Sequence, residues 1–176
     1  MKIIFVRHGK TTEKGSNWLI KRGRSQVKEL VKKLKEFKID KIYASDLARA
    51  KQTAKIISNE LKLPITLTSS LREHRGKILR ENRKYWDKEE KKQFKELKSF
   101  LKEISKKPNK DETILLVDHG NTNRLIISHF LKMSTKKLLF FRQKNSCINM
   151  IYWTDKFKNW RLEIMNDYSH LPKKLK

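Results

Sequence analysis

At 176 residues the chain has room for one domain with a full hydrophobic core, and its regularly patterned apolar residues, 37 % of the total, exclude extended disorder. Cys147 is the only cysteine, which excludes an internal disulfide and a multi-cysteine metal site and suits a reducing compartment. The net charge of +25, from 44 Lys and Arg against 19 Asp and Glu, attracts anions, but the lysines are spread over every helical segment without an aromatic-interleaved basic motif, which argues against nucleic acid as the partner.

The first predicted element is the apolar run Ile3 to Val6, a buried parallel strand that ends just before a glycine. Val27, Leu30, Val31, Leu34 and Phe37 then share one helical face. Lys41 to Ala44 reads as a second strand. Ser45 or Asp46 is expected to cap the following helix, whose stripe is Leu47, Ala50, Ala54, Ile57 and Leu61, with Pro64 stopping it. Ile65 to Leu67 is a short strand, and residues 69–86 are polar and irregular. Phe94, Leu97, Leu101 and Ile104 mark an amphipathic helix over about 87–105, expected to cover the core or act as a lid. Thr113 to Val117 is another buried strand, and Leu125 to Leu131 belongs to a helix. Cys147 to Trp153 and Trp160 to Met165 are strand-like. The tail from Lys173 to Lys176 is expected to fray.

This alternation predicts a three-layer α/β/α sandwich with a mostly parallel sheet. One domain is expected over 1–171, with a short lid-like insert at about 77–112 and a basic tail at 172–176. The longest apolar runs are too short to cross a bilayer, and the chain opens on a strand pattern; a soluble, cytoplasmic protein without membrane attachment is expected.

In such sheets the chemistry collects at the carboxyl ends of the strands. Four of those ends read Arg7-His8-Gly9, Ser45-Asp46 followed by Arg49, Leu71-Arg72-Glu73, and Asp118-His119-Gly120. Two arginines, two histidines and a carboxylate in one crevice are the parts of phosphoryl transfer. Arginine forks bind pairs of phosphoryl oxygens, a neutral imidazole can take the phosphoryl covalently, and a carboxylic acid can protonate the departing oxygen. Helix N-termini after His8, Ser45 and His119 would add backbone N–H groups. The plainer readings are a solvated loop for Arg7-His8, an Asp46 partner for Arg49, and an ion pair with Arg72, His74 or Arg75 for Glu73. His74 itself reads as an exposed loop residue.

The motifs VRHGKT, RGRSQVKEL, YASDLARAKQTA, LREHRG and LLVDHGNTNRLII, with NSCIN and NWRLEIMNDYSHL near the end, resemble the phosphoglycerate-mutase-like histidine phosphatases in order and spacing. The resemblance runs from residue 2 to about 171 and is weak between Lys77 and Glu112. It implies His8 as nucleophile, Arg7 and Arg49 as clamps on the phosphoryl oxygens, His119 as a donor to them, Glu73 as general acid and base, and Gly120 at the phosphate. Asn17 is the nearest candidate for the family's asparagine after the catalytic histidine. Departures are Lys10, Lys77-Ile78-Leu79-Arg80 in place of a W-E-G, and Asp118, a carboxylate expected to keep the neighbouring imidazole charged. The implied activity is phosphomonoester hydrolysis without metal or organic cofactor. The substrate would be a small phosphorylated molecule, with phosphoproteins admissible. The alternatives are a phosphoglycerate mutase and a polyanion or nucleic-acid binder on this fold.

Overall fold

A computed structural model describes residues 1–12, 17–79, 85–106, 108 and 111–176. Its elements are β1 (Lys2–Arg7), α1 (Lys21–Leu34), β2 (Lys41–Ser45), α2 (Ala48–Leu61), β3 (Ile65–Thr68), α3 (Lys88–Ile104), β4 (Thr113–Asp118), α4 (Gly120–Leu131), β5 (Ile148–Thr154) and β6 (Asn159–Asp167). The strands form one sheet in the order β3-β2-β4-β1-β5-β6. The first four are mutually parallel; β5 runs antiparallel to β1, and β6 antiparallel to β5.

The two apolar runs of the sequence lie side by side at the centre, with Ile3 opposite Ile114 and Val6 opposite Val117. Both are covered on both faces, so neither needs polar alternation. Ile3, Phe5, Ile114 and Leu116 pack with Leu97 and Leu101 of α3 and Leu125 and Ile126 of α4. Ile4, Val6, Leu115 and Val117 pack on the other face with Val27, Leu30 and Leu34 of α1 and Ala54 and Ile57 of α2. Each large side chain taken fully out of water here contributes on the order of 1.5–3 kcal/mol. The strand period of two sorts neighbouring residues into opposite layers, and the three-layer sandwich follows.

The helix ends differ from the sequence expectation. Neither Ser45 nor Asp46 caps α2; the N-cap is Leu47, with no side-chain bond. Ser45 Oγ accepts from the Leu47 N–H at 3.3 Å, while Asp46 is drawn away by the Arg72 guanidinium at 2.6 and 2.8 Å. No helix begins at His8: α1 starts at Lys21, after a loop that packs against it at two glycines. A Cβ on Gly9 would lie 2.6 Å from the Gly23 carbonyl oxygen, and one on Gly23 would lie 2.1 Å from that of Lys10. Gln26, on the next turn, accepts from the Lys10 N–H at 2.9 Å and donates to the Leu175 carbonyl at 2.8 Å.

That second bond corrects the expected fraying of the tail. Lys173–Leu175 form a 3-10 turn against α1, and Arg22 also donates to the Lys176 carbonyl. Helix α3 is a covering layer, started by a capping box between Asp87 and Glu90 and anchored by Leu97 and Leu101. Parts of the expected insert, including Arg80, and of the loop between His8 and Asn17 lie outside the described residues.

Candidate active site

Arg7, His8, Arg49, Glu73 and His119 meet at the carboxyl ends of β1, β2 and β4. His8 is 3 % exposed and His119 fully buried, so the solvated-loop reading of the Arg-His pair does not hold. The two rings meet edge to face with centroids 5.2 Å apart. The His8 Nδ1 lies 2.7 Å from the Gly9 carbonyl oxygen, which can only accept; Nδ1 therefore carries the hydrogen and Nε2 the lone pair. Arg49 Nε–H donates to that lone pair at 3.2 Å. Burial holds His8 down to about 3, Arg7 and Arg49 adding to it against the Gly9 bond, so the imidazole is neutral across the physiological range.

Arg49 does not pair with Asp46, which bonds Arg72 instead. Thr53 ties the first turn of α2 to the loop after β1: its hydroxyl donates to the Arg49 carbonyl at 2.9 Å and accepts from the Gly9 N–H at 3.2 Å. Arg7 Nη1 donates to the Gln143 carbonyl at 2.6 Å. Its guanidinium lies over Gly120, where a Cβ would come within 3.4 Å of Nε.

His119 Nε2 lies 2.9 Å from Ser45 Oγ, and Nδ1 lies 3.7 Å from Glu73 Oε2 without a hydrogen-bond partner among the described residues. Burial pushes His119 well below its ordinary value, with His8, Arg49 and Arg7 adding to the effect. The expectation that Asp118 keeps this ring charged is therefore not met. Asp118 is itself fully buried and raised well above the carboxylate range, because desolvation favours its neutral form and Glu73 adds to it.

Glu73 Oε1 accepts from the Asn121 N–H at 2.9 Å. Its carboxyl is raised by burial, against the pull of the Asn121 bond, Arg7, Arg49 and Arg124, although its side chain keeps 28 % exposure. The ion-pair reading with Arg72 or Arg75 does not apply: Arg72 bonds Asp46, and Arg75 lies 3.3 Å from Asp87 and 3.5 Å from Glu89. His74 is not an exposed loop residue. It is buried at 1 %, near Thr122, and burial lowers it to about 4.

Two contributors escaped the sequence reading. Asn121 holds Glu73 through its N–H, donates to the His74 carbonyl and accepts from Arg124 Nη1 at 2.8 Å. Arg124, fixed also by the Phe141 carbonyl, adds a third guanidinium whose charge acts on Glu73. Their signal was the spacing of the first turn of α4, where residues 121 and 124 share a face beside His119. Asn17 is exposed in the loop before α1, with no hydrogen bond to any of the five among the described residues.

A cavity of about 420 Å³ opens beside Glu73, lined by Leu47, Ser69, Arg72, Gln93 and acidic residues of α3. Among the described residues, the ligand atoms of His8, Glu73 and His119 lie within 4.8 Å of one another, close enough for one divalent ion to bridge. Arg7 and Arg49 flank the same point, and their field favours an anion there over a cation.

A buried neutral imidazole whose Nε2 lone pair accepts from an arginine, ringed by guanidinium groups and faced by a raised carboxyl on an α/β/α sheet, is an arrangement suited to phosphoryl transfer. Residues 3–168 match the family model of the histidine phosphatase superfamily (branch 1), and the chain belongs to that family. The Drosophila mojavensis mitochondrial serine/threonine-protein phosphatase Pgam5 is 31 % identical over 146 residues, which cover 74 % of this chain and 50 % of that protein. The chain spans about half the length of the curated relatives it matches. An Entamoeba histolytica phosphoserine phosphatase in complex with 3-phosphoglyceric acid shares the fold, with a TM-score of 0.79 at 21 % identity over 97 % of this chain and 99 % of that one. A mycobacterial glucosyl-3-phosphoglycerate phosphatase does so at 0.76 and 20 % identity, over 94 % and 98 %. No described helix is long and apolar enough to cross a membrane.

Proposed function

We propose that this chain hydrolyses phosphomonoesters through a phosphohistidine on His8, without a metal ion or organic cofactor. The observation that carries the reading is the neutral His8 Nε2 lone pair facing Arg49 Nε–H at 3.2 Å. A phosphoryl oxygen entering the site takes over the Arg49 donor, which frees Nε2 to attack phosphorus in line. Arg7 and Arg49 bind the equatorial oxygens, and the backbone at Gly120 lies beside them. With Ser45 Oγ–H donating to His119 Nε2, the His119 hydrogen sits on Nδ1, a third donor to the transferring group. Glu73, whose hold on a proton is strengthened by burial, gives that proton to the departing alkoxide as the P–O bond breaks and the N–P bond forms. Its carboxylate then takes a proton from the water that attacks phosphorus and breaks the N–P bond.

The cavity beside Glu73 would hold the alcohol portion of the substrate. Its rim is open, which suits a small phosphorylated molecule and admits a phosphorylated side chain of a protein. The protein-phosphatase names of the curated relatives favour the latter, and the +25 charge would draw either toward the site. A cytoplasmic location is part of this reading.

The test is a panel of phosphorylated metabolites, phosphopeptides and an aryl phosphate, assayed in EDTA with trapping of the phosphoenzyme. Release of inorganic phosphate with an acid-labile, base-stable phosphoryl group on one histidine is expected. Strict dependence on an added divalent ion would overturn the mechanism. Conversion of 3-phosphoglycerate to 2-phosphoglycerate with bisphosphoglycerate present, well ahead of phosphate release, would make the chain a mutase.

A further inference from the structure

Behind Arg7 and His119 runs a line of buried polar side chains, Asn149, Gln143, Asn123 and Asp118. Its polarity is set at one end by backbone groups that have no choice of role. The Asn166 N–H can only donate, and donates to Asn149 Oδ1 at 2.8 Å; the Phe5 carbonyl can only accept, and accepts from Asn149 Nδ2 at 3.2 Å. Asn149 is thereby oriented. It exchanges two bonds with Gln143, Nδ2 to Oε1 at 2.9 Å and Oδ1 from Nε2 at 3.0 Å, which orients Gln143 in turn. Gln143 Oε1 then accepts from Asn123 Nδ2 at 3.0 Å.

Asn123 is left with its acceptor, Oδ1, turned toward Asp118 Oδ1 at 2.5 Å. Two bare acceptors do not rest at that distance; one must carry a hydrogen. Turning the Asn123 amide over moves the conflict without removing it, since its oxygen would then face Gln143 Oε1 at 3.0 Å. We propose that Asp118 is a positioning residue acting as a neutral carboxylic acid, its O–H donating to Asn123 and so locking Gln143, whose main-chain carbonyl holds Arg7.

The surroundings agree with this assignment. Asp118 is fully buried, burial first and Glu73 second favour its protonated form, and only the His119 N–H opposes them. The Cys147 thiol beside it is pushed up to about 12, so it stays S–H and donates to Gln143 Oε1 at 3.2 Å. The main-chain oxygen of Gln143 takes Arg7 Nη1 at 2.6 Å, while Arg7 Nε has no hydrogen-bond partner among the described residues. Arg7 is paired with Asp118 across the sheet, so the acid and the arginine it steadies leave adjacent strands side by side.

The link to Arg7 rests on the phosphate role proposed above, and the test separates the two. Infrared difference spectra at neutral pH compare wild type with Asp118→Asn, and calorimetry measures inorganic phosphate binding to both, to Asp118→Leu and to Arg7→Ala. Wild type should show a protonated-carboxyl band that Asp118→Asn lacks. Asp118→Asn, which keeps an N–H donor for Asn123, should bind phosphate within about threefold of wild type, and Asp118→Leu about tenfold more weakly, as loss of one buried hydrogen bond implies. An ionised carboxylate at neutral pH, or an Asn variant as impaired as the Leu variant, would overturn the proposal. If Asp118→Leu does not fold, the spectrum and the Asn variant still decide. Phosphate binding unchanged in Arg7→Ala would remove the phosphate role of Arg7, and with it the positioning, while the protonation state stands or falls on the band alone.

Discussion

The floor and the wall of the site hold their charges in opposite ways. On the floor, at the ends of β1 and β4, His8, Asp118 and His119 are buried and all three are pushed toward their neutral forms. Arg7 there bonds a carbonyl rather than a carboxylate. On the wall, Arg72 and Arg75 are solvated and already satisfied by Asp46, Asp87 and Glu89. A floor of this kind keeps its positive field for an arriving anion, in a place where water does not screen it. The wall neutralises itself and sits in water, so it can change with little energetic consequence. Glu73 stands between them, bonded to Asn121 on the floor side and open on the other.

This contrast can be broken most severely at His8. His8→Ala should lower kcat/KM by roughly four orders of magnitude or more, since loss of a nucleophile removes the covalent path. An alanine variant within tenfold of wild type, or one that still forms the phosphoenzyme, would show that the floor is not where the chemistry occurs. Arg7→Ala and Arg49→Ala come next, each expected to cost roughly 10²-fold in kcat/KM by leaving transition-state charge uncompensated. An Arg49 variant that behaves like a wall variant would detach α2 from the floor.

The Glu73 substitution sharpens the boundary. Glu73→Gln should slow alkyl phosphates far more than activated aryl phosphates, whose leaving groups hardly need a proton. The sign of the pH effect follows from the directions of the shifts. Glu73 is raised, so its proton is held to a higher pH than that of an ordinary carboxyl and is lost as pH climbs through the raised value. His8 is lowered to about 3, so it loses its lone pair only near that pH. Wild-type kcat/KM on alkyl phosphates should therefore fall on the alkaline side, and Glu73→Gln should abolish that limb. An unchanged limb would assign it to another group. The smallest effect belongs to the wall: Asp46→Asn breaks its bidentate pair with Arg72 and should cost less than about 1 kcal/mol in denaturant unfolding. A larger loss would mean that the wall supports the fold.

The five residues of the floor and its edge were legible because each lies at, or one turn beyond, the end of an apolar strand run. Those runs needed no partner to be recognised. Their neighbours were not legible. Asp46 looks like a helix cap or an Arg49 partner until Arg72, 26 positions away, is seen to take it. His74 looks exposed in a polar stretch, yet the chain buries it beside Thr122 of α4. Asp118 suggested a charged neighbour for His119, because a sequence shows a carboxyl group but not the water removed from around it.

By itself the sequence determined the layers, the parallel centre of the sheet and the chemical inventory of the site. Apolar periodicity is a local property, and strand ends follow from it. Only the tertiary structure decided which nitrogen of His8 carries the lone pair, which arginines bond carbonyls or rings rather than acids, and which buried groups are pushed toward their neutral forms. Those depend on desolvation and on hydrogen bonds between residues distant in the chain, such as Asn149 with Phe5 and His119 with Ser45.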